Sequence, residues 1–442
     1  MLKRKFYNFL SNWKASNPKK CLLVKGARQI GKTFIIDYFG RTNYTSYLYL
    51  NFLTNPEHRD FFEGSLEAED IFKRISAQMP SFRIIPGDTL IFLDEIQVCP
   101  KARAAFKPLA IDGRVHVIGS GSLLGITFLD DGARLNKERR ESSVPVGYEQ
   151  QTMMHSLDFE EFLWALGYTD DSLSIYRDAF NNLTSLPQST NEHMLRLFRE
   201  HIVIGGMPDV VSTFIRSKNF GEVFEAQNDI LAANLDDMSR YAITVEKPKV
   251  RACYMSIPSQ LARENRKFKY ANVEKNGSAR KFGSSIDWLR ESALALQCHN
   301  LETVEIPLRA FKKPDMFKLY VADTGILSAM SGFEIVGPIV NNTMKGPAKG
   351  GIYENVIMSA LVRRGYEPFY YQKKPGQGEI DFLIAKESSI VPIEVKAGTD
   401  SSKSFNRLIE KPEIEVGYKF INGNIGKFGK KVTLPHYMVM FV

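Results

Sequence analysis

The sequence contains few of the residues and patterns that mark disulfide-rich, metal-binding or membrane-spanning proteins. Only four of its 442 residues are cysteine, and no two of them form a CxxC pair. This scarcity argues against both a disulfide framework and a zinc site. No segment is apolar over the roughly 20 residues that cross a bilayer, and no N-terminal stretch has a signal-peptide apolar core. We therefore expect a soluble, cytoplasmic protein without a membrane partner.

Apolar and basic residues, by contrast, are plentiful. Hydrophobic residues make up 44% of the chain and charged residues 24%, which is enough for sizeable cores. The length predicts two to four domains. The formal net charge of +8 is compatible with a nucleic-acid partner, although it is modest for a chain of this length.

Residues 21–36 have the pattern of a phosphate-binding loop between a strand and a helix. An apolar run precedes the sequence GARQIGKT, which fits GxxxxGK[ST], and a helical apolar pattern follows it. The free N–H groups at the helix start would surround a phosphate, and Gly26 and Gly31 would let the backbone approach it. We expect Lys32 to bind the β- and γ-phosphates of ATP and the Thr33 hydroxyl to ligate Mg²⁺.

A second motif argues against a chance match. Residues 89–97, TLIFLDEIQ, form an apolar run that ends in Asp94 and Glu95, as expected for a buried central strand. An acidic residue at such a strand end holds Mg²⁺ in phosphate-loop enzymes, and Glu95 is the candidate to orient or deprotonate the attacking water. A third apolar run ends in GSGS, where Ser120 or Ser122 could contact the γ-phosphate or simply form a turn.

The pattern of strands and helices predicts four regions. Alternating apolar strands and helices predict an α/β P-loop NTPase core with a parallel sheet over residues 1–150. A helical subdomain is predicted over 151–244, with a break at the GGMP sequence. We expect a winged-helix-like domain over 245–340 and a further α/β domain over 341–442.

The winged-helix prediction depends on a basic segment with two helices and two strands. Between Val245 and Glu291 there are eleven Lys and Arg residues and five Asp and Glu residues. Helices are predicted at 257–262 and 278–289, and the strands of a wing at 303–308 and 316–321. Such a fold would contact DNA phosphates, or it could be a structural linker with a solvated basic face.

The C-terminal region places acidic residues on a predicted hairpin. One strand carries Asp381, and its neighbour carries Glu394 and Lys396 on one face because side chains alternate along a strand. Two carboxylates and an amine can hold Mg²⁺ or Mn²⁺ and activate water for phosphodiester attack, with Glu354 of the preceding helix completing the site. Acidic and basic residues also occur on strands simply for solubility.

Six motifs together resemble a prokaryotic family of AAA+-related P-loop ATPases with a C-terminal domain of unknown function. They are GARQIGKT, LDEIQ, GSGSLL, SLDFEEFL, GGMPDVV and VADTGILSAM, and they span nearly the whole chain. The IDFLI and PIEVK segments resemble the PD-(D/E)xK restriction-endonuclease-like fold found at the end of those proteins. The resemblance implies ATP bound by Lys32 and Thr33, metal and water handled by Asp94 and Glu95, and a nuclease-like core.

The residues of that implied nuclease-like core are Asp381, Glu394 and Lys396. Arg28 and Gln29 match the GxRQ pattern of the family, and Arg28 is expected to contact a phosphate or a neighbouring carboxylate. Arg134, Arg139 and Arg140, within residues 130–143, are candidates for an arginine finger or equally belong to a solvated charged loop. Residues 246–285 are longer and more polar than the family's linker. The alternatives are an ATP-gated nuclease that acts on DNA and a nucleotide-switched scaffold for a protein partner, and a homo-oligomer stays open.

Overall fold

The computed structural model describes residues 2–122, 147–241, 247–373, 378–398 and 402–442. They form two compact units, of which the first contains residues 3–156 and 291–293 and the second contains 157–290 and 294–442. The three arginines considered for an arginine finger lie outside the described residues, and the side chain of Ser122 is likewise not described. The boundaries of the four predicted regions stay predictions.

The first unit contains a five-stranded parallel sheet. Its strands are β1 (Cys21–Gly26), β2 (Ser46–Asn51), β3 (Thr89–Asp94), β4 (His116–Ser122) and β5 (Glu149–Met153). Its helices are α1 (Lys5–Ala15), α2 (Lys32–Asn43), α3 (Ala68–Gln78), α4 (Pro100–Ala104) and α5 (Phe106–Asp112). The strand order is β2-β3-β4-β1-β5 with all pairs parallel, which confirms the predicted α/β sheet.

Continuous apolar runs explain why β1 and β3 are central strands. Leu22 and Leu23 of β1 and Leu90 and Phe92 of β3 have no exposed surface, as expected for parallel strands covered on both faces. β4 lies between β1 and β3, so the two predicted motifs meet at the carboxyl edge of the sheet. Ligands of open α/β sheets bind at this edge.

The second unit combines helices with an eight-stranded sheet. Its helices are α6 (Phe159–Ala165), α7 (Ser174–Asn182), α8 (Gln188–Ile204), α9 (Pro208–Ser217), α10 (Phe220–Tyr241), α11 (Lys247–Met255), α12 (Ile257–Leu261), α13 (Ala279–Glu291), α14 (Thr324–Ser331), α15 (Val336–Val340), α16 (Pro347–Arg363) and α17 (Lys403–Ile409). Its strands are β6 (Ala295–Leu301), β7 (Lys312–Val321), β8 (Phe369–Tyr371), β9 (Ile380–Lys386), β10 (Ser389–Lys396), β11 (Gly417–Ile421), β12 (Gly426–Phe428) and β13 (Lys431–Pro435). The strand order is β12-β13-β11-β10-β9-β8-β6-β7. In the described ranges, no helix is long and apolar enough to cross a membrane.

The predicted break at GGMP is confirmed, and the DTG sequence at the start of α14 packs against it. Asp323 accepts hydrogen bonds from the backbone N–H of Gly206 and of Gly325, both at 2.9 Å. A Cβ added to Gly206 would lie 2.0 Å from the carbonyl oxygen of Leu157, so only glycine fits this close approach. The two motifs therefore form one buried junction within the second unit.

The winged-helix prediction is not confirmed. Helices form at both predicted places, but the predicted strand at 303–308 is wrong, because the strand that pairs with β7 is β6. β6 also pairs in parallel with β8 at Asn300 and Tyr370. The β6-β7 pair is thus one edge of the eight-stranded sheet. The prediction failed because β7 pairs with β6 and not with the segment at 303–308, and a local sequence pattern does not show which strands pair.

Candidate nucleotide site and C-terminal acidic cluster

The predicted phosphate-binding loop connects β1 to α2. Gly26 ends β1, and a Cβ there would lie 2.5 Å from the carbonyl oxygen of Met154. Gln29 and Gly31 have left-handed φ values of 59° and 87°, and Gly31 is the N-cap of α2. The free N–H groups at the start of α2 therefore lie at the loop, as phosphate binding requires.

The Arg4 side chain is hydrogen-bonded to the backbone of this loop. Its guanidinium donates to the carbonyl oxygen of Ile30 at 3.0 Å and to that of His155 at 2.6 Å, and the residue is 7% exposed. Nothing in the loop pattern indicated this residue, because it lies more than twenty positions before the loop.

The Lys32 ammonium lies inside the loop. Its Nζ donates to the carbonyl oxygens of Gly26 at 3.1 Å and Ala27 at 2.6 Å. Burial lowers the pKa of Lys32 to about 8, although the Glu95 and Asp94 carboxylates act in the opposite direction and Arg28 adds to the lowering. Arg28 is thus electrostatically close to the loop lysine, and its expected contact with a phosphate or a neighbouring carboxylate stays a prediction.

Asp94 is the centre of a hydrogen-bond network at the carboxyl edge of the sheet. Its buried carboxylate accepts from the Thr33 hydroxyl at 3.0 Å, which joins the two predicted motifs. It also accepts from the Ser120 hydroxyl at the end of β4. Tyr49 and Asn51 of β2 donate at 3.0 Å and 3.1 Å.

The contacts of Tyr49 and Asn51 with Asp94 were not predicted. Asn51 ends an apolar strand beside β3, so the rule that singled out Asp94 could also have found it. The Thr33 hydroxyl and the Asp94 carboxylate are oxygen ligands of the kind Mg²⁺ prefers, so the residues present fit this ion.

Glu95 directly follows the buried strand β3 and is partly exposed. It has a left-handed φ of 54°, which is uncommon for a residue that is not glycine. Its carboxylate accepts a hydrogen bond from the Gln97 side chain. Glu95 therefore lies next to Asp94 at the carboxyl end of β3, and its role as the residue that activates water stays a prediction.

The lowered pKa of Lys32 predicts that ATP affinity depends on pH. Phosphates favour the charged lysine, so above about pH 8 binding must first add a proton and affinity should fall about tenfold per pH unit. Calorimetry between about pH 7 and pH 9.5, in buffers of different ionisation enthalpy, measures both the affinity and the proton uptake. Lys32→Arg should bind without this slope, and a flat profile for the parent would contradict the prediction.

The C-terminal residues Asp381 and Glu394 face each other on neighbouring strands. Ile393 of β10 pairs with Phe382 of antiparallel β9, so the next pair brings Glu394 opposite Asp381 on the same face. Asp381 Oδ2 accepts the Val395 N–H at 2.7 Å, and Lys396 Nζ lies 2.9 Å from Glu394 Oε1. Glu394 Oε2 is buried and has no hydrogen-bond partner among the described residues.

Glu354, which was expected to complete this site, is paired with basic residues instead. Its Oε1 accepts from Arg266 at 2.5 Å, and its Oε2 accepts from Lys318 and from the Tyr320 hydroxyl, both at 3.1 Å. Burial raises the pKa of this carboxyl, but Lys318 and Arg266 outweigh it and hold the pKa of Glu354 below its ordinary value. Burial opposes charge on Lys318 too, yet Glu354 and Glu379 raise its pKa well above the ordinary value.

The acidic pair itself has raised pKa values. Burial, followed by the neighbouring Glu394, raises the pKa of Asp381 well above its ordinary value. Burial also raises the pKa of Glu394, against the effect of Lys396. Within the described residues, no group of three or more His, Cys, Asp or Glu side chains is arranged to hold a metal ion. The two carboxylates Asp381 and Glu394 alone are a smaller set than this, and a metal ion held by them stays a prediction.

Comparison with protein families divides the chain into three matched stretches. Residues 18–163 match the AAA domain, residues 195–335 match a domain of unknown function (DUF8612), and residues 349–433 match another (DUF4143). None of the curated proteins compared with the chain matches it.

Several solved structures are similar at low identity. A Walker-type ATPase of Pyrococcus abyssi is 12% identical, with 75% of this chain and 96% of that chain covered and a TM-score of 0.45. AMPPCP-bound DnaA from Aquifex aeolicus is 12% identical, with coverages of 66% and 90% and a TM-score of 0.27. Drosophila ORC bound to DNA is 12% identical, with 74% of this chain and 84% of that chain covered and a TM-score of 0.26. Scores this low do not establish a shared function.

The family match agrees with what the residues form. The matched stretch contains the whole parallel sheet, the loop with Lys32 and Thr33, and the acidic strand end with Asp94 and Glu95. The first unit therefore carries an AAA-type P-loop ATPase domain that binds ATP.

Proposed function

We propose that the protein is a Mg²⁺-dependent ATP hydrolase whose nucleotide cycle changes the state of a DNA-associated C-terminal domain. The observation that supports hydrolysis most directly is the 3.0 Å contact between Thr33 and Asp94, beside Glu95. Lys32 would neutralise the phosphates, while Thr33 and Asp94 would hold Mg²⁺ and Glu95 would take the proton of the attacking water. When bound, Mg²⁺ would stabilise the negative charge that develops on the phosphate oxygens as ADP departs.

The test of this function is ATP turnover with and without duplex DNA. Typical phosphate-loop enzymes need an effector for full rate, so we expect slow turnover alone and faster turnover with DNA. Equal rates with and without DNA would contradict the proposed DNA association but not the proposed ATPase activity. An absence of turnover under both conditions would contradict both parts of the proposal.

A DNA contact by the basic segment predicts strong salt dependence. Arg280 and Lys281 are exposed on α13, although Lys281 already pairs with Glu274 at 2.6 Å. Replacing both with Ala should weaken duplex binding and reduce the log–log salt slope by up to about 2, since each phosphate contact contributes about 0.9. Fluorescence anisotropy across salt concentrations measures both quantities. The exposed pair Lys19 and Lys20 is the control, and a slope equal to the parent's in the Arg280/Lys281 variant would favour the structural-linker hypothesis.

Metal-dependent phosphodiester cleavage is a second candidate for the C-terminal domain. It is supported by the register that brings Asp381 opposite Glu394, with Lys396 two residues further along β10. In this candidate the two carboxylates would hold Mg²⁺ or Mn²⁺, and Lys396 would stabilise charge on the attacked phosphate.

Plasmid nicking with Mn²⁺ tests the cleavage candidate. If cleavage occurs, Asp381→Asn and Lys396→Ala should each lower its rate at least about 100-fold, while ATP affinity stays unchanged. Lys386→Ala on the neighbouring strand is the control. If the parent does not cut, or if the variants cut equally well, the C-terminal domain is a nucleotide-switched scaffold for a protein partner.

A further inference from the structure

The most completely buried cation of the C-terminal sheet is Lys318 on β7. The residue has no exposed surface, and its ammonium lies 3.1 Å from Glu354 Oε2 and pairs also with Glu379. The ring of Tyr370 is 5.1 Å from the same nitrogen. Neither the nucleotide cycle nor the cleavage candidate gives this lysine a role.

Glu354, the buried acid beside Lys318, needs positive charge nearby to stay ionised. An uncompensated carboxylate in a protein interior costs several kcal/mol, so buried acids are paired or bind metals. Both oxygens of Glu354 are already occupied, one by Arg266 and the other by Lys318 and Tyr320. Its oxygens are therefore directed at basic and hydroxyl groups of the chain, and none is directed at a vacant ligand position.

We propose that Lys318 is the resident cation of this cluster and supplies the positive charge that a divalent metal ion would otherwise supply to Glu354 and Glu379. Glu354, which was expected to complete a metal site, is then neutralised by Lys318 and does not serve as a metal ligand. This inference rests on the C-terminal part of the proposed function, where it favours the scaffold over cleavage. It also assigns a role to the lysine that begins the KLYVADTG sequence.

The test is Mn²⁺ binding and thermal unfolding of the full-length chain without nucleotide. Lys318→Met leaves the buried Glu354 with Arg266 alone and the partly exposed Glu379 without its lysine. It should therefore melt lower than the parent in EDTA, recover part of the loss with Mn²⁺, and bind Mn²⁺ at least about tenfold more tightly by electron paramagnetic resonance. Lys318→Met combined with Glu354→Gln should lose the Mn²⁺ rescue. Arg103→Met is the matched control, because it breaks another buried ion pair, with Glu149 at 2.9 Å, that Mn²⁺ should not rescue.

Two results would overturn the inference. One is a folded Lys318→Met protein with the parent's Mn²⁺ affinity and no Mn²⁺-dependent recovery. The other is tight Mn²⁺ binding by the parent that Asp381→Asn removes, and this measurement remains decisive if Lys318→Met does not fold. ATP turnover of the same preparations is read separately, so a failure of the ATPase proposal cannot be mistaken for either result.

Discussion

Lys32→Ala should lose ATP binding almost completely. The ammonium lies within the loop, 2.6 Å from the carbonyl oxygen of Ala27, and it would contact the β- and γ-phosphates. Hydrogen bonds to charged groups contribute about 1.5–3 kcal/mol each, so the loss of two such contacts should weaken ATP at least about 100-fold. Isothermal calorimetry with ATP and Mg²⁺ measures this directly.

The control for Lys32→Ala is Lys20→Ala, which removes an exposed lysine just before β1. It should bind ATP like the parent, since it is outside the loop. Circular dichroism should show that both variants are folded. If Lys32→Ala binds ATP with the affinity of the parent, the phosphates lie elsewhere and the assignment of the loop is wrong.

Glu95→Gln should separate ATP binding from ATP turnover. The amide can still orient water, but it cannot accept the proton, and a positioned general base typically contributes about 10²- to 10⁴-fold in rate. We therefore expect turnover to fall by at least about 100-fold while ATP affinity stays within about twofold of the parent's.

Phosphate release and calorimetry on the same Glu95→Gln preparation test both halves of this expectation. Glu57→Gln, an exposed acid outside the site, is the control and should hydrolyse ATP at the parent rate. Parent-like hydrolysis by Glu95→Gln would mean that another residue activates the water. Loss of ATP binding would mean that Glu95 serves the structure of the loop.

The sequence predicted the parts of the fold that local pattern determines. Apolar runs located β1 and β3, and GARQIGKT located the loop, because a buried parallel strand and a glycine turn each have a short-range signature. The hairpin of β9 and β10 was predicted within a residue or two for the same reason. The same patterns located Thr33 and Asp94, which the structure brings into contact at 3.0 Å, and their roles toward Mg²⁺ stay predictions.

Pairing between distant segments could not be predicted in the same way. The contacts of Asp94 with Tyr49 and Asn51 depend on the strand order, and the contact of Arg4 with Ile30 depends on how α1 packs. Glu354, which was expected to complete the C-terminal site, pairs instead with Lys318 and Arg266. Lys318 is thirty-six residues away, and no local pattern indicates that its ammonium pairs with that carboxylate.

Phosphate release from ATP by the purified parent, with Mg²⁺ and with EDTA, tests the proposal of an ATP hydrolase most directly. The contact of Thr33 with Asp94 beside Glu95 predicts repeated turnover with Mg²⁺, and background release with EDTA or with the Lys32→Ala variant. Release that continues undiminished in EDTA, or an absence of release while ATP is bound tightly, would contradict it.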